Sequence, residues 1–202
     1  MFTGLVETQA MLIDVAAEPA GKRLTLARPP QFDDCRLGDS VALNGCCLTI
    51  VELDDKRIVF QAGEETLSRT TLGRQGAGAL LNCERAMRLG DRIGGHLVAG
   101  HIDAVGTVTG RVDDAQWSKI FFSAPAVLLR QMVSKGSIAI DGASLTLVDV
   151  GDTEFSVALI PHTLEVTTLG QLQVGDEVNL ETDVLAKYVQ RQLETACLTG
   201  QG

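Results

Sequence analysis

The sequence predicts an all-β protein, two small β-barrels in tandem followed by a C-terminal α-helix. Three observations carry this expectation. The stretch NGCCLTI at residues 44–50 returns as DGASLTL at residues 141–147. That return belongs to a longer repeat: residues 38–86 align with 135–183, 97 positions on, without a gap. Within each copy apolar residues alternate with polar or small ones, the period of a strand buried on one face.

Residues of every kind sustain the repeat. Ala42/Ala139, Gly45/Gly142, Leu48/Leu145, Thr49/Thr146 and Val51/Val148 match, then the run TTLG at 70–73 and 167–170. Gly78/Gly175, Asn82/Asn179 and Glu84/Glu181 close the series. A slip of one residue carries it upstream, where Gly4 meets Gly100 and Pro29 meets Pro125. Each copy is long enough to fold as its own domain, unlike the short units of a solenoid. The joint is expected in the glycine-rich LGDRIGGH. This places the first barrel at residues 1–88, a linker at 89–96, the second barrel at 97–184 and a helix with its tail at 185–202.

In chain order, RLTLA, SVALNG, CLTIVEL, RIVFQA and ALLNCE read as strands of the first copy. KIFFSA, SIAIDG, SLTLVDV, EFSVALI and EVNLET are the strands of the second. The Asn-Gly and Asp-Gly steps predict tight hairpins, because both residues tolerate positive φ. Short strands joined by glycine turns favour a closed barrel. Beyond the repeat, DVLAKYVQRQLETACL sets Val184, Leu185, Tyr188, Val189, Gln192 and Leu193 along one helical stripe, with Asp183 or Thr182 as N-cap. Such a stripe either caps its own barrel or packs between subunits.

Composition narrows the function. The chain has 202 residues, 45% of them apolar, and a formal net charge of −9. That charge argues against a nucleic-acid partner, which needs clustered Lys and Arg. No apolar run approaches the roughly 18 residues of a membrane span, and no basic region precedes an apolar one at the N-terminus. A cytoplasmic location without a membrane partner is therefore expected. The five cysteines form no C-x-x-C pair and are expected to be reduced thiols.

No phosphate-binding glycine loop, G-x-S-x-G elbow or H-E-x-x-H pair occurs. His96, His101 and His162 have no acidic or thiol cluster at ligand spacing, so no metal is expected. Small polar residues at matched points of the copies are the stronger lead. Cys47-Leu48-Thr49 and Ser144-Leu145-Thr146 leave a turn and enter a strand, where backbone and hydroxyl groups can meet a planar heterocycle. Duplication predicts two similar pockets for similar ligands, whether in an enzyme joining two like molecules or in a carrier holding two.

MFTGLVE, NGCCLTI, GGHLVAGH, DGASLTL, IPHTLEVTTLG and NLETDVLAKY, in this order and spacing, resemble the signature segments of the riboflavin synthase family of duplicated lumazine-binding proteins. The resemblance covers nearly the whole chain. It departs at Leu5-Val6, where the family often has isoleucines, and at Cys46, often apolar there. It implies two six-stranded Greek-key barrels and a homotrimer joined through the C-terminal helix. The implied active site lies between the N-terminal barrel of one subunit and the C-terminal barrel of a neighbour. The implied reaction is a dismutation of two 6,7-dimethyl-8-ribityllumazine molecules. One gives a four-carbon unit to the other, yielding riboflavin and 5-amino-6-ribitylaminouracil, with no metal or redox cofactor.

By the same resemblance, Gly4, Leu5, Val6, Cys47, Leu48, Thr49, Gln61, Ala62, Gly63, Glu64, Glu65 and Thr66 line the first pocket. Gly100, His101, Ile102, Lys135, Ser144, Leu145, Thr146, Ala158, Leu159, Ile160, Pro161, His162 and Thr163 line the second. The catalytic candidates are His101, Cys47, Ser40, Asp183 and Ser144. His101 suits proton shuttling, since imidazole titrates near neutrality. Cys47 and Ser40 suit a nucleophilic or polar role in the first barrel. Asp183 stands where the first copy has Ala86, and it serves equally as the helix N-cap. Lys135 stands opposite Gly38 and fits anchoring a carbonyl or ribityl oxygen. Phe2 is expected to pack under the first pocket, and His96 and His162 to be structural or solvated. A non-catalytic lumazine or flavin carrier on the same duplicated barrel is the rival reading. The complete reactive set favours the enzyme.

Overall fold

Alternation of apolar and polar residues closes each copy of the repeat into a barrel around its own core. The computed structural model describes residues 1–199. The tail expected at 200–202 lies outside the described residues, as does the Cys197 side chain. The first copy contains β1 (Thr8–Glu18), β2 (Gly21–Ala27), β3 (Ser40–Leu43), β4 (Cys46–Leu53), β5 (Arg57–Gly63) and β6 (Leu80–Arg85), with a short helix α1 (Glu64–Arg69) after β5. The second contains β7 (Ala104–Asp114), β8 (Trp117–Ser123), β9 (Ser137–Ile140), β10 (Ala143–Val150), β11 (Glu154–Leu159) and β12 (Glu177–Thr182). Its helical turns are α2 (Ala126–Leu129) and α3 (Pro161–Val166), and helix α4 (Val184–Thr199) follows.

Both barrels are closed and antiparallel, with the same Greek-key order: β1-β2-β5-β4-β3-β6, and β7-β8-β11-β10-β9-β12. Strands β1 and β7, missing from the expected strands, are the longest. Each carries a register shift at the matched point, between Leu12 and Asp14 and between Val108 and Gly110. A bulge breaks the period of two there, which hid both strands from the pattern.

Leu12, Leu24, Leu43, Ile50 and Phe60 fill the first core. Phe122 and Phe155, stacked with centroids 5.5 Å apart, anchor the second. A third, smaller cluster joins the barrels: Phe2, Ala42, Val98 and Ala139, with Cys47 packed against it. Phe2 is fully buried there, and its N–H and C=O exchange bonds with Val98 at 2.8 and 3.0 Å.

The barrels meet at the two hairpin tips the repeat announced. Asn44 and Asp141 both take positive φ, 44° and 43°, each followed by a left-handed glycine. A Cβ on Gly45 would lie 2.8 Å from the Gly142 nitrogen, so the tips pack backbone to backbone. Asn82 and Asn179 stitch them crosswise. Asn82 Nδ2 donates to the Asp141 carbonyl and Asn179 Nδ2 to the Asn44 carbonyl, at 2.9 and 2.8 Å. Their Oδ1 atoms accept from the N–H of Thr168 and of Thr71.

Candidate active site

Strand alternation decides which groups can face a ligand. On β4, Cys46, Leu48 and Ile50 are buried while Cys47 is half-buried and Thr49 exposed. The register Ala42↔Cys47 and Ser40↔Thr49 puts these four residues on one outer face of the first barrel. Exposed Gln61 and Gly63 on β5 continue that face towards Glu64, Glu65 and half-buried Thr66 of α1. The second barrel repeats it, with Ala139↔Ser144 and Ser137↔Thr146. There Ala158 and Ile160 are exposed beside Pro161, His162 and Thr163 of α3.

Four expected pocket residues on the strands turn inward. Leu48, Ala62 and Leu159 are buried in the cores and Leu145 packs against the second one. The same alternation that exposes Thr49 and Thr146 points them away, so they offer a ligand backbone alone.

The segments before β1 and β7 correct the expected grouping. The resemblance groups residues 4–6 with Cys47 and residues 100–102 with Ser144, but the structure exchanges them. Ser144 N–H donates to the Gly4 carbonyl at 2.7 Å, and Cys47 N–H donates to the Gly100 carbonyl at 2.8 Å. Val6 packs on the second core and Ile102 on the first. Both glycines are left-handed, with φ of 76° and 83°. A Cβ on Gly4 would stand 2.5 Å from that of Ser144, and one on Gly100 would stand 2.6 Å from that of Cys47. The crossing follows from the pairing of Phe2 with Val98, which carries each segment over the seam before its own barrel begins.

Two matched carboxylates hold the crossing segments. Glu84 accepts from Thr3 N–H, Thr3 Oγ1 and Gly4 N–H at 2.7, 2.8 and 3.0 Å. Glu181 accepts from the N–H groups of Ala99, Gly100 and His101 at 2.7, 2.9 and 3.0 Å. Burial pushes both carboxyls above their ordinary range against these bonds. The first face thereby receives the exposed His101 imidazole, and the second receives Leu5.

The second face has an imidazole of its own. His96, ranked as structural from the sequence, is buried with Nδ1 2.7 Å from Ser144 Oγ. Its Nε2 is buried without a hydrogen-bond partner among the described residues. Burial lowers its pKa, and the charge of Asp183 pulls partly the other way. Asp183 caps α4, accepting from Leu185 N–H at 3.0 Å. It is thus both N-cap and neighbour of the His96–Ser144 pair. Lys135 stands at the far end of the β9–β10 face with φ of 70°, where the first copy has Gly38 at 89°. A lysine held left-handed costs on the order of 1–2 kcal/mol.

A cavity of about 680 Å³ lies elsewhere, among Thr3, Leu5, Ser40, Arg85 and Arg88. It reaches Ser40 but neither Cys47 nor His101, and two of its arginines are engaged: Arg85 pairs with Glu7 and Asp34, and Arg88 with Asp34. The two polar faces are open surfaces instead, each walled on one side by a segment from the other barrel.

Two barrels of one Greek-key order, with matched polar faces, define a duplicated small-molecule-binding protein. The chain belongs to the lumazine binding domain family, whose pattern matches residues 3–86 and again 99–183. Within it the chain is similar to riboflavin synthases. That of Mycobacterium tuberculosis is 44% identical over 97% of this chain and 100% of the relative. That of Schizosaccharomyces pombe is 37% identical over 96% and 94%. Among solved structures, LumP complexed with riboflavin superposes with a TM-score of 0.83 at 25% identity, over 90% of this chain and 99% of that one. LumP complexed with 6,7-dimethyl-8-(1'-D-ribityl) lumazine shares the fold, with a TM-score of 0.81 at 23% identity over the same shares.

Proposed function

We propose that the protein makes riboflavin from two molecules of 6,7-dimethyl-8-ribityllumazine, releasing 5-amino-6-ribitylaminouracil. The observation that carries this reading is the pair of matched but chemically unequal faces. One offers Cys47, Thr49, Ser40 and His101. The other offers Ser144 bonded to His96, with Thr146, Lys135 and Asp183 beside them. A dismutation needs this combination, because identical molecules must be bound alike yet treated differently. One lumazine loses a proton from its 7-methyl group and the other is attacked at C7. Four carbons leave one molecule as they join the other, so the atoms balance with no added reagent.

Each face is open in the single chain, and helix α4 turns Leu185, Tyr188, Val189 and Leu193 to solvent. Lys187 pairs with Asp103 at 2.7 Å and Gln131 donates to Gln190 at 2.5 Å, so the helix is anchored through its polar side. These features support a homotrimer joined through α4, in which the first face of one subunit closes on the second face of a neighbour. Bringing two bound lumazines together in that way supplies on the order of 7–11 kcal/mol of the barrier.

The test is turnover. Purified protein given 6,7-dimethyl-8-ribityllumazine alone forms riboflavin and consumes two substrates per product. Tight binding without riboflavin formation would make it a carrier instead.

A further inference from the structure

We infer that Glu84 and Glu181 are positioning residues that act across the seam, each ordering the ligand face of the opposite barrel. The inference rests on the two-face reading above for its consequence in turnover, but not for its geometry. Three facts carry it. First, the register Ala42↔Glu84 and Ala139↔Glu181 sets each carboxylate on the outer face of its own barrel, one strand over from Ala42↔Cys47 or Ala139↔Ser144. Neither side chain is used by its own ladder or core.

Second, among the described residues each carboxylate spends its oxygens on three donors of a crossing segment. Neither has an ion-pair partner among the described residues, although Glu84 and Glu181 are 6% and 1% exposed. The charge of Lys187 reaches Glu181 without a direct pair. A buried carboxylate with no cation in contact is costly and persists where its bonds hold something in place.

Third, the held peptide passes the order on. The Gly4 N–H is bound by Glu84 while its carbonyl receives Ser144 N–H. The Gly100 N–H is bound by Glu181 while its carbonyl receives Cys47 N–H. Glu84 in the first barrel therefore fixes the wall beside Ser144 in the second. Glu181 in the second fixes the wall beside Cys47 in the first, and with it the backbone of His101.

Replacing either glutamate by glutamine turns one accepting oxygen into a donor aimed at an N–H. The effect should appear on the far face. Cys47 is a built-in reporter, half-buried while Cys35, Cys46 and Cys83 are buried. Iodoacetamide labelling of the full-length protein, read at the Cys47 peptide by mass, is expected to be about 10-fold faster in Glu181→Gln through local opening of the wall. In Glu84→Gln it is expected to stay near the native rate, although Glu84 and Cys47 share a barrel.

Equal labelling in the two variants, or faster labelling in Glu84→Gln, overturns the crossed assignment. Glu181→Asp, which keeps the charge but shortens the reach, is expected to fall between native and Glu181→Gln. If Glu181→Gln does not fold, unchanged labelling in Glu181→Asp overturns the inference alone. With 6,7-dimethyl-8-ribityllumazine both glutamine variants are expected to lose turnover more than KM. A loss seen in KM alone would reduce the carboxylates to packing. The labelling result is independent of substrate, so it stands or falls apart from the proposed reaction.

Discussion

The imidazole of His96 lies 2.7 Å from the hydroxyl of Ser144, and the two come from opposite sides of the seam: His96 from the connection between barrels, Ser144 from the start of β10. Burial holds the imidazole below its ordinary value of 6.5, so it is neutral at pH 7 and able to take the hydroxyl proton.

Ser144→Ala is therefore expected to lower kcat roughly 100-fold with KM little changed, the scale of a lost acid–base partner. It also leaves a buried imidazole without a bond, at about 1–3 kcal/mol of stability. The pH profile gives an independent reading. A neutral base with a lowered pKa keeps working on the acid side of 6.5, so the fall in rate should begin below that value. A rate that already halves above it would remove His96 from the reaction.

Cys47→Ser gives the first face the hydroxyl that the second already has. The neighbours still differ, since the residue at 47 sits against Gly100 rather than bonding to His96. Turnover should fall about 10-fold, while lumazine affinity, measured by the quenching of its fluorescence, moves by less than about twofold. Full activity would show the Cys47/Ser144 difference to be incidental.

The barrels and their hairpin tips were legible because alternation and the Asn-Gly and Asp-Gly steps are local signals. The repeat then doubled every one of them. What the repeat could not express was exchange. Aligning Gly4 with Gly100 shows that the segments are equivalent, but an exchanged pair and an unexchanged pair align identically. Only the pairing of Phe2 with Val98, a contact between two stretches outside the strands, decides it. His96 reads as structural in the sequence for a related reason. It lies upstream of the point where the second copy begins to match the first, so it has no counterpart to draw attention. Glu84 and Glu181 were visible as a match, yet a matched acid in a strand reads as surface until its partners are known.

Asp141 offers a test of the seam. It is buried and its carboxyl is pushed up to about 7 by desolvation, against one bond from Asn179 N–H. The first copy places neutral Asn44 at the same point, with Asn44 Oδ1 accepting from Asn82 N–H at 2.7 Å. In the unfolded chain an aspartate ionises near pH 3.9. Folding holds the Asp141 proton to about 7, so its effect is most favourable below about pH 4, declines as pH rises, and levels off above 7. Asp141→Asn should therefore match the native protein near pH 4 and exceed it increasingly up to pH 7, by a few kcal/mol at most. Urea unfolding midpoints across that range check it. A variant less stable at pH 7 would mean that the charged carboxylate is compensated at the seam.

Helix α4 gives the last prediction. Leu185 and Leu193 are 65% and 62% exposed in the single chain, eight residues apart on one stripe with Tyr188 and Val189. A stripe of that size is normally covered. The polar side that anchors α4 through Lys187 and Gln190 leaves it facing outward. Leu185→Glu combined with Leu193→Glu should leave both barrels folded, because neither leucine touches a core, and should lower the mass in solution to that of one chain. Each chain would still carry both ligand faces, so lumazine binding should persist. Riboflavin formation should fall by about 100-fold or more, because the two bound molecules would no longer be held against each other. Light scattering, ligand titration and turnover on the same sample separate these effects. A single chain that retains native turnover would show that both lumazines meet within one subunit, and the reading of a site shared between neighbours would fail.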